Sequence, residues 1–141
     1  MLLLSTSANG RETNELRASA SDWQTVIGVM SGDTECATKK SWRWGSEGKC
    51  PLSYVGYMEV SRGEVSVFVP MSAFSDLGTP RSVSIRKRGR ASAEIVVNGG
   101  DAALSYQATF VIRAERLVER RVRSGEFPAS AWERTTYSYT Y

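Results

Sequence analysis

Leu104-Ser105-Tyr106-Gln107-Ala108-Thr109-Phe110-Val111-Ile112 decides the fold. Leu104, Tyr106, Ala108, Phe110 and Ile112 fall on one face of an extended chain, and Ser105, Gln107, Thr109 and Val111 on the other. Strand side chains alternate with period two, whereas a helix repeats every 3.6 residues. An alternation this long has no helical stripe, so the stretch reads as a strand with one buried face.

The neighbouring sequence continues the rhythm in both directions. Asn98-Gly99-Gly100-Asp101 is the strongest turn signal in the chain. Before it lie Ala93–Val97, the turn Arg88-Gly89-Arg90, and Ser82–Lys87, where Val83 and Ile85 alternate with Ser84 and Arg86. Tyr54–Val60 and Glu64–Pro70 flank Ser61-Arg62-Gly63 and read as a hairpin, with Val65, Val67 and Val69 opposite Ser66 and Phe68. Asp22–Met30 reads as a strand on the strength of Trp23, Thr25, Val26, Ile27 and Val29. On the far side, Ala114-Glu115-Arg116 turns the chain into Leu117–Arg123. Val118, Arg120 and Val122 favour a strand there, while the Arg, Glu and Leu content of residues 113–123 leaves a short helix as the alternative. Ser124–Ser130 is a loop, and Trp132–Tyr141 closes the chain with a stripe of Tyr137, Tyr139 and Tyr141.

The expected fold is all-β and mainly antiparallel, a small sandwich or barrel of about seven or eight strands with room for one short helix. The chain has 141 residues, enough for one domain with a core that buries roughly 68% of the unfolded surface. Residues 22–141 form that β domain. Residues 1–21 read as a flexible N-terminal segment or the remnant of a signal peptide, because Met1-Leu2-Leu3-Leu4 runs into small residues and a polar stretch. No apolar run approaches the ~20 residues that cross a bilayer as a helix.

Composition narrows the function classes. The chain has no histidine, which removes Ser-His-Asp and Cys-His catalysis and His-ligated zinc. Phosphate-cradling glycine loops are absent from the sequence, so neither a cofactor nor a resident metal is expected. Paired carboxylates remain open to hydrolysis, but no spacing singles out a pair among fifteen acidic residues. Cys36 and Cys50 enclose a polar loop, and an even count in a small chain fits one disulfide in an oxidising compartment. Such a bridge would contribute roughly 3 kcal/mol in the chain-entropy treatment. It places the protein in the periplasm or outside the cell; reduced thiols would return it to the cytoplasm.

Two candidate binding surfaces follow. Residues 81–123 carry ten basic and four acidic residues, whereas the remainder is net acidic. Arg86, Arg88, Arg120, Arg121 and Arg123 would then form a basic face that attracts an acidic partner. The plainer alternative is a solvated face whose arginines discourage edge-to-edge aggregation. The second surface is Trp42-Arg43-Trp44 in the cysteine loop, with the composition of an interface hot spot; its alternative is indoles folded back over the core. Trp23 and Trp132 are expected in the core. The leading expectation is a non-enzymatic exported protein-binding domain, an inhibitor or immunity protein covering the active site of a toxin or envelope hydrolase. A single-stranded nucleic-acid-binding barrel using the arginine face is the alternative, and a carboxylate hydrolase the third.

Overall fold

The computed structural model describes residues 2–6, 12–32, 43–46 and 51–139. Ten strands form two five-stranded antiparallel meanders. The first sheet holds β1 (Leu2–Thr6), β2 (Glu12–Ala20), β3 (Trp23–Ser31), β4 (Ser53–Arg62) and β5 (Val65–Val67), paired in chain order. The second holds β6 (Pro80–Lys87), β7 (Ser92–Gly99), β8 (Tyr106–Arg113), β9 (Arg116–Ser124) and β10 (Ala131–Thr136), again in chain order. The all-β sandwich expected from the alternation is what the chain adopts. The strand count is ten among the described residues, not seven or eight. The Leu117–Arg123 segment is strand, and the only helices described are 3-10 turns at Met71–Ala73 and Ala102–Leu104. Among the described residues no helix is long and apolar enough to cross a membrane.

Inward-facing residues of both sheets make one core. Trp23, Ile27, Val55, Met58 and Val60 come from the first sheet. Ile95, Val97, Tyr106, Ala108, Phe110, Ile112, Leu117 and Val122 come from the second. The inner face of β8 is the one read from its alternation, although the strand begins at Tyr106 and Leu104 belongs to a 3-10 turn. Asn98 and Gly99 belong to β7, so the chain reverses over Gly100–Ser105 instead of in a two-residue turn. Positive φ angles at Gly100 (74°) and Ala102 (47°) bend that connection.

The additional strands lie where a mobile terminus was expected. Thr13–Ala20 pairs with Trp23–Met30 without a register break. The segment has polar residues on one face because that face looks outward. Glu15 receives a hydrogen bond from the Tyr57 hydroxyl (2.6 Å) and pairs with Arg17 (2.5 Å). The Tyr57 ring crosses β3 at Gly28, where a Cβ would stand 2.0 Å from the ring. Burial and the charged acceptor raise the Tyr57 hydroxyl to about 12. Signals of this kind span three strands and are invisible to a local pattern.

The crossover between the sheets is a packed segment. Val55 N–H donates to Leu77 O (2.9 Å), and Thr79 N–H to Ser53 O (2.8 Å). From the second sheet, the buried Tyr106 hydroxyl donates to Gly78 O (2.7 Å). Gly99 makes room for this tyrosine, since a Cβ there would lie 2.4 Å from its oxygen. Tyr106→Phe keeps the ring but leaves Gly78 O without that donor. We expect a loss of about 1–3 kcal/mol in denaturant unfolding, with an unchanged far-ultraviolet spectrum; full retention of stability would show the bond to be energetically idle.

Candidate functional site

The site begins with a one-residue irregularity in β9. Ile112 pairs with Leu117, but Val111 pairs with Glu119, so Val118 is the extra residue of a bulge. Because side chains alternate, one extra residue changes which of them face inward. Leu117 faces the core, and so do Arg120, Val122 and Ser124, each buried. Glu119, Arg121 and Arg123 face outward.

Arg120 is therefore inside the sandwich, 4% exposed. A guanidinium has five N–H donors, and all five have acceptors. Nη1 donates to Asp76 Oδ1 (2.6 Å) and Ala73 O (2.8 Å). Nη2 donates to Asp76 Oδ2 (2.9 Å) and Glu133 Oε2, and Nε to Glu133 Oε1 (3.0 Å). Burial works against the charge, yet the hydrogen bonds and fields of Asp76 and Glu133 overcome it and hold Arg120 protonated. For Glu133, burial also opposes charge. Hydrogen bonds from Arg120 and Thr135, the field of Arg120 and the Trp44 side chain hold its carboxyl below the ordinary range. Asp76 and Glu133 are thus a pair of carboxylates brought together in space, but as the two jaws on one cation. Both carboxylates spend their oxygens on the Arg120 guanidinium, which is not the open pair that a carboxylate hydrolase presents to its substrate.

The strap at residues 43–46 packs against this network. Trp44 N–H donates to Asp76 O (2.7 Å), and Trp44 O accepts from Gly78 N–H (2.8 Å). Its indole stacks on Trp132 with centroids 5.4 Å apart and planes 4° from parallel. Arg43 turns back over the Tyr54 ring, 4.5 Å from its centroid, and donates to Ser75 O (3.2 Å). Of the expected Trp42-Arg43-Trp44 surface, Arg43 and Trp44 form a wall of the domain. Trp42 lies outside the described residues, as do Cys36 and Cys50. Trp132, expected in the core, is 37% exposed. It is the extra residue of a second bulge, because Ala131 pairs with Arg123 and Glu133 with Val122.

The outer face of the second sheet gathers most of the expected arginines. Arg86 pairs in register with Glu94, and Glu94 through Val111 with Glu119. Arg121 lies 3.0 Å from Glu119 and 3.4 Å from Glu94, Arg134 lies 3.2 Å from Glu119, and Arg88 lies 3.4 Å from Glu94. Arg123 Nε donates to Gln107 Oε1 (2.8 Å), Gln107 Nε2 to Asn98 Oδ1 (3.3 Å), and Asn98 Nδ2 to Ser82 Oγ (3.3 Å). Arg86, Arg88, Arg121 and Arg123 share this face, joined by Arg134, while Arg120 points the other way. Alternation alone could have separated Arg120 from Arg121 and Arg123, since neighbours on a strand cannot share a face. Sequence reasoning missed Asp76, Glu133 and Arg134; nothing local marks the first two as partners of Arg120.

Beside this face runs a groove of about 420 Å³ between β9, β10 and their connection. Thr109, Arg121, Arg123, Pro128, Trp132 and Arg134 line it. Phe127, on the same connection, is exposed. Comparison of the chain with protein-family models, curated proteins and solved structures found no match.

Arg120→Ala would strand two half-buried carboxylates. We expect a loss of about 3–5 kcal/mol in denaturant unfolding. The linkage sign follows from Glu133. Its folded value is depressed, so its contribution is complete above the ordinary carboxylate pKa of about 4.3 and disappears as pH falls through the lower folded value. Glu133→Gln should lower stability at neutral pH and flatten the loss below about pH 4. An acid limb as steep as that of the parent chain would dissociate Glu133 from it.

Proposed function

We propose that this chain is a non-enzymatic binding domain that grips an acidic surface on another protein, acting as an inhibitor or immunity protein that covers the active site of a toxin or envelope hydrolase. The observation that carries this reading is the outer face of the second sheet. Five arginines (Arg86, Arg88, Arg121, Arg123 and Arg134) stand against two glutamates, Glu94 and Glu119, on a hydrogen-bonded surface. The interleaved glutamates orient the guanidinium groups and give the face a pattern of sign. A protein surface of matching pattern satisfies both signs, and complementary charge speeds association and rejects wrong partners.

The exported setting rests on the cysteine loop. Gly32 N–H donates to Leu52 O (2.8 Å), so the two stems of the segment that carries Cys36 and Cys50 leave the sheet side by side.

A single-stranded nucleic acid is the second reading, favoured by Trp132 lying beside Arg121, Arg123 and Arg134, since bases stack on aromatic rings beside cations. Glu94 and Glu119 count against it, because a polyanion meets them as repulsion.

One comparison tests these readings. The full chain and a variant with Arg86, Arg88, Arg121 and Arg123 each changed to Gln serve as bait in extracts of the native organism. Intact mass of the bait under non-reducing conditions reports the cysteine bridge. We expect a protein partner whose affinity for the variant is weaker by roughly tenfold or more. Equal affinity would remove the arginine face from the proposal. Tight oligonucleotide binding that falls steeply with salt would replace the protein partner by nucleic acid.

A further inference from the structure

The groove beside Trp132 is built differently from the rest of the arginine face. Most of that face is a lattice of ion pairs. The groove instead combines a concavity of about 420 Å³ with an aromatic ring and an apolar rim at Pro128. Volumes of this order accept a single ring system and its attachments.

Trp132 reaches the groove because of its bulge. As the residue without a partner on β9, it leaves the regular alternation of β10. Bulges re-aim single side chains in this way, and they are over-represented next to functional sites. Trp44 then backs one face of the indole with a nearly parallel ring, while the rest of the indole, 37% exposed, lines the groove. A ring held from behind loses little freedom when another planar group stacks on it.

Charge selects what that group is attached to. Arg121, Arg123 and Arg134 all border the groove. Glu119 accepts from both Arg121 and Arg134, and Glu133, the acid that lines the groove, is committed to Arg120. The remaining excess is a small positive charge, centred on Arg123, whose own bond is to the neutral amide of Gln107. This suits one or two carboxylates beside the ring. It is a weak seat for a phosphate chain, which would also meet the Glu133 carboxylate at the groove wall.

We propose that this groove is the anchor pocket for an aromatic side chain within an acidic segment of the partner protein, the ring stacking on Trp132 and a neighbouring carboxylate pairing with Arg123. The inference rests on the protein-partner reading above and names the part of the partner that is gripped. Arg134, 70% exposed in its side chain, reaches a second carboxylate from the open side.

The test uses the full chain, isotope-labelled, with the indole N–H resonance of Trp132 as readout and the backbone amide of Arg123, on the same groove, as the readout for Trp132→Ala. The probe is a synthetic peptide of one tyrosine flanked on each side by two glutamates. A saturable shift of the Trp132 resonance is expected. Affinity should fall by roughly tenfold or more when alanine replaces the peptide's tyrosine, and in Trp132→Ala. Arg134→Gln, which removes an exposed side chain and so leaves folding undisturbed, should weaken binding by a smaller factor.

Equal binding of the alanine peptide, or an unmoved Trp132 resonance at millimolar peptide, overturns the pocket. Tighter binding of adenosine 5′-monophosphate than of the peptide also overturns it and assigns the groove to nucleotides. The broader reading fails separately. A captured partner that is lost from the four-arginine variant but retained by Trp132→Ala keeps the basic face and rejects the anchor. A peptide that seats on Trp132 while captured protein ignores the arginines keeps the ring site but rejects both the face and the pairing with Arg123.

Discussion

A single buried cation organises one flank of this sandwich. Arg120 spends every donor it has on two pieces of chain that are far apart in sequence: the crossover turn at Ala73 and Asp76, and Glu133 on the edge strand. A buried charge is tolerated only when it is paired and fully hydrogen-bonded. The dependence is mutual, because the carboxylates would be equally costly without the guanidinium. The network therefore acts as a geometric clamp more than as a store of stability. With β10 held by Glu133, and Asp76 holding the Trp44 strap through its carbonyl, the position of the two stacked indoles follows.

The opposite side of the same sheet uses charge in another way. Val96, Thr109 and Val111 lie on the outer face, yet each is at most 7% exposed. Long arginine and glutamate stems beside them cover this apolar middle while their heads stay in water. The result is a surface with charge at its top layer and the methyl groups of Val96, Thr109 and Val111 beneath. Such a surface can meet another protein without first exposing a hydrophobic patch to solvent.

Much of the architecture was legible because it is written in period two. The inner face of β8, the strand nature of Leu117–Arg123 and the burial of Trp23 all follow from local alternation. Part of what the sequence concealed lies in two bulges. Neither Val118 nor Trp132 carries a glycine or proline beside it to announce a bulge, and each bulge changes which side chains face the core. Arg120 looks like its neighbours in a basic run, and its alternation with Val122 is the local sign that it faces the core. The β2 strand was hidden because its outward polar side is satisfied by Tyr57, two strands away. The arginine face itself was partly legible, since Arg86, Arg88, Arg121 and Arg123 do share a surface. Arg134 joins them from a strand whose register depends on a bulge.

The row of hydrogen bonds from Arg123 through Gln107 and Asn98 to Ser82 has a direction. Each donor points away from the guanidinium, so the amide dipoles line up head to tail across four strands. Aligned bonds polarise one another. The Ser82 oxygen is consumed as the last acceptor, which leaves its hydroxyl hydrogen free to turn outward. Positive potential that originates on β9 is thereby relayed to β6, a distance of roughly 14 Å at the usual inter-strand spacing. An approaching molecule would sense the far rim of the sheet as a proton donor, although no charged side chain stands in that row beyond Arg123.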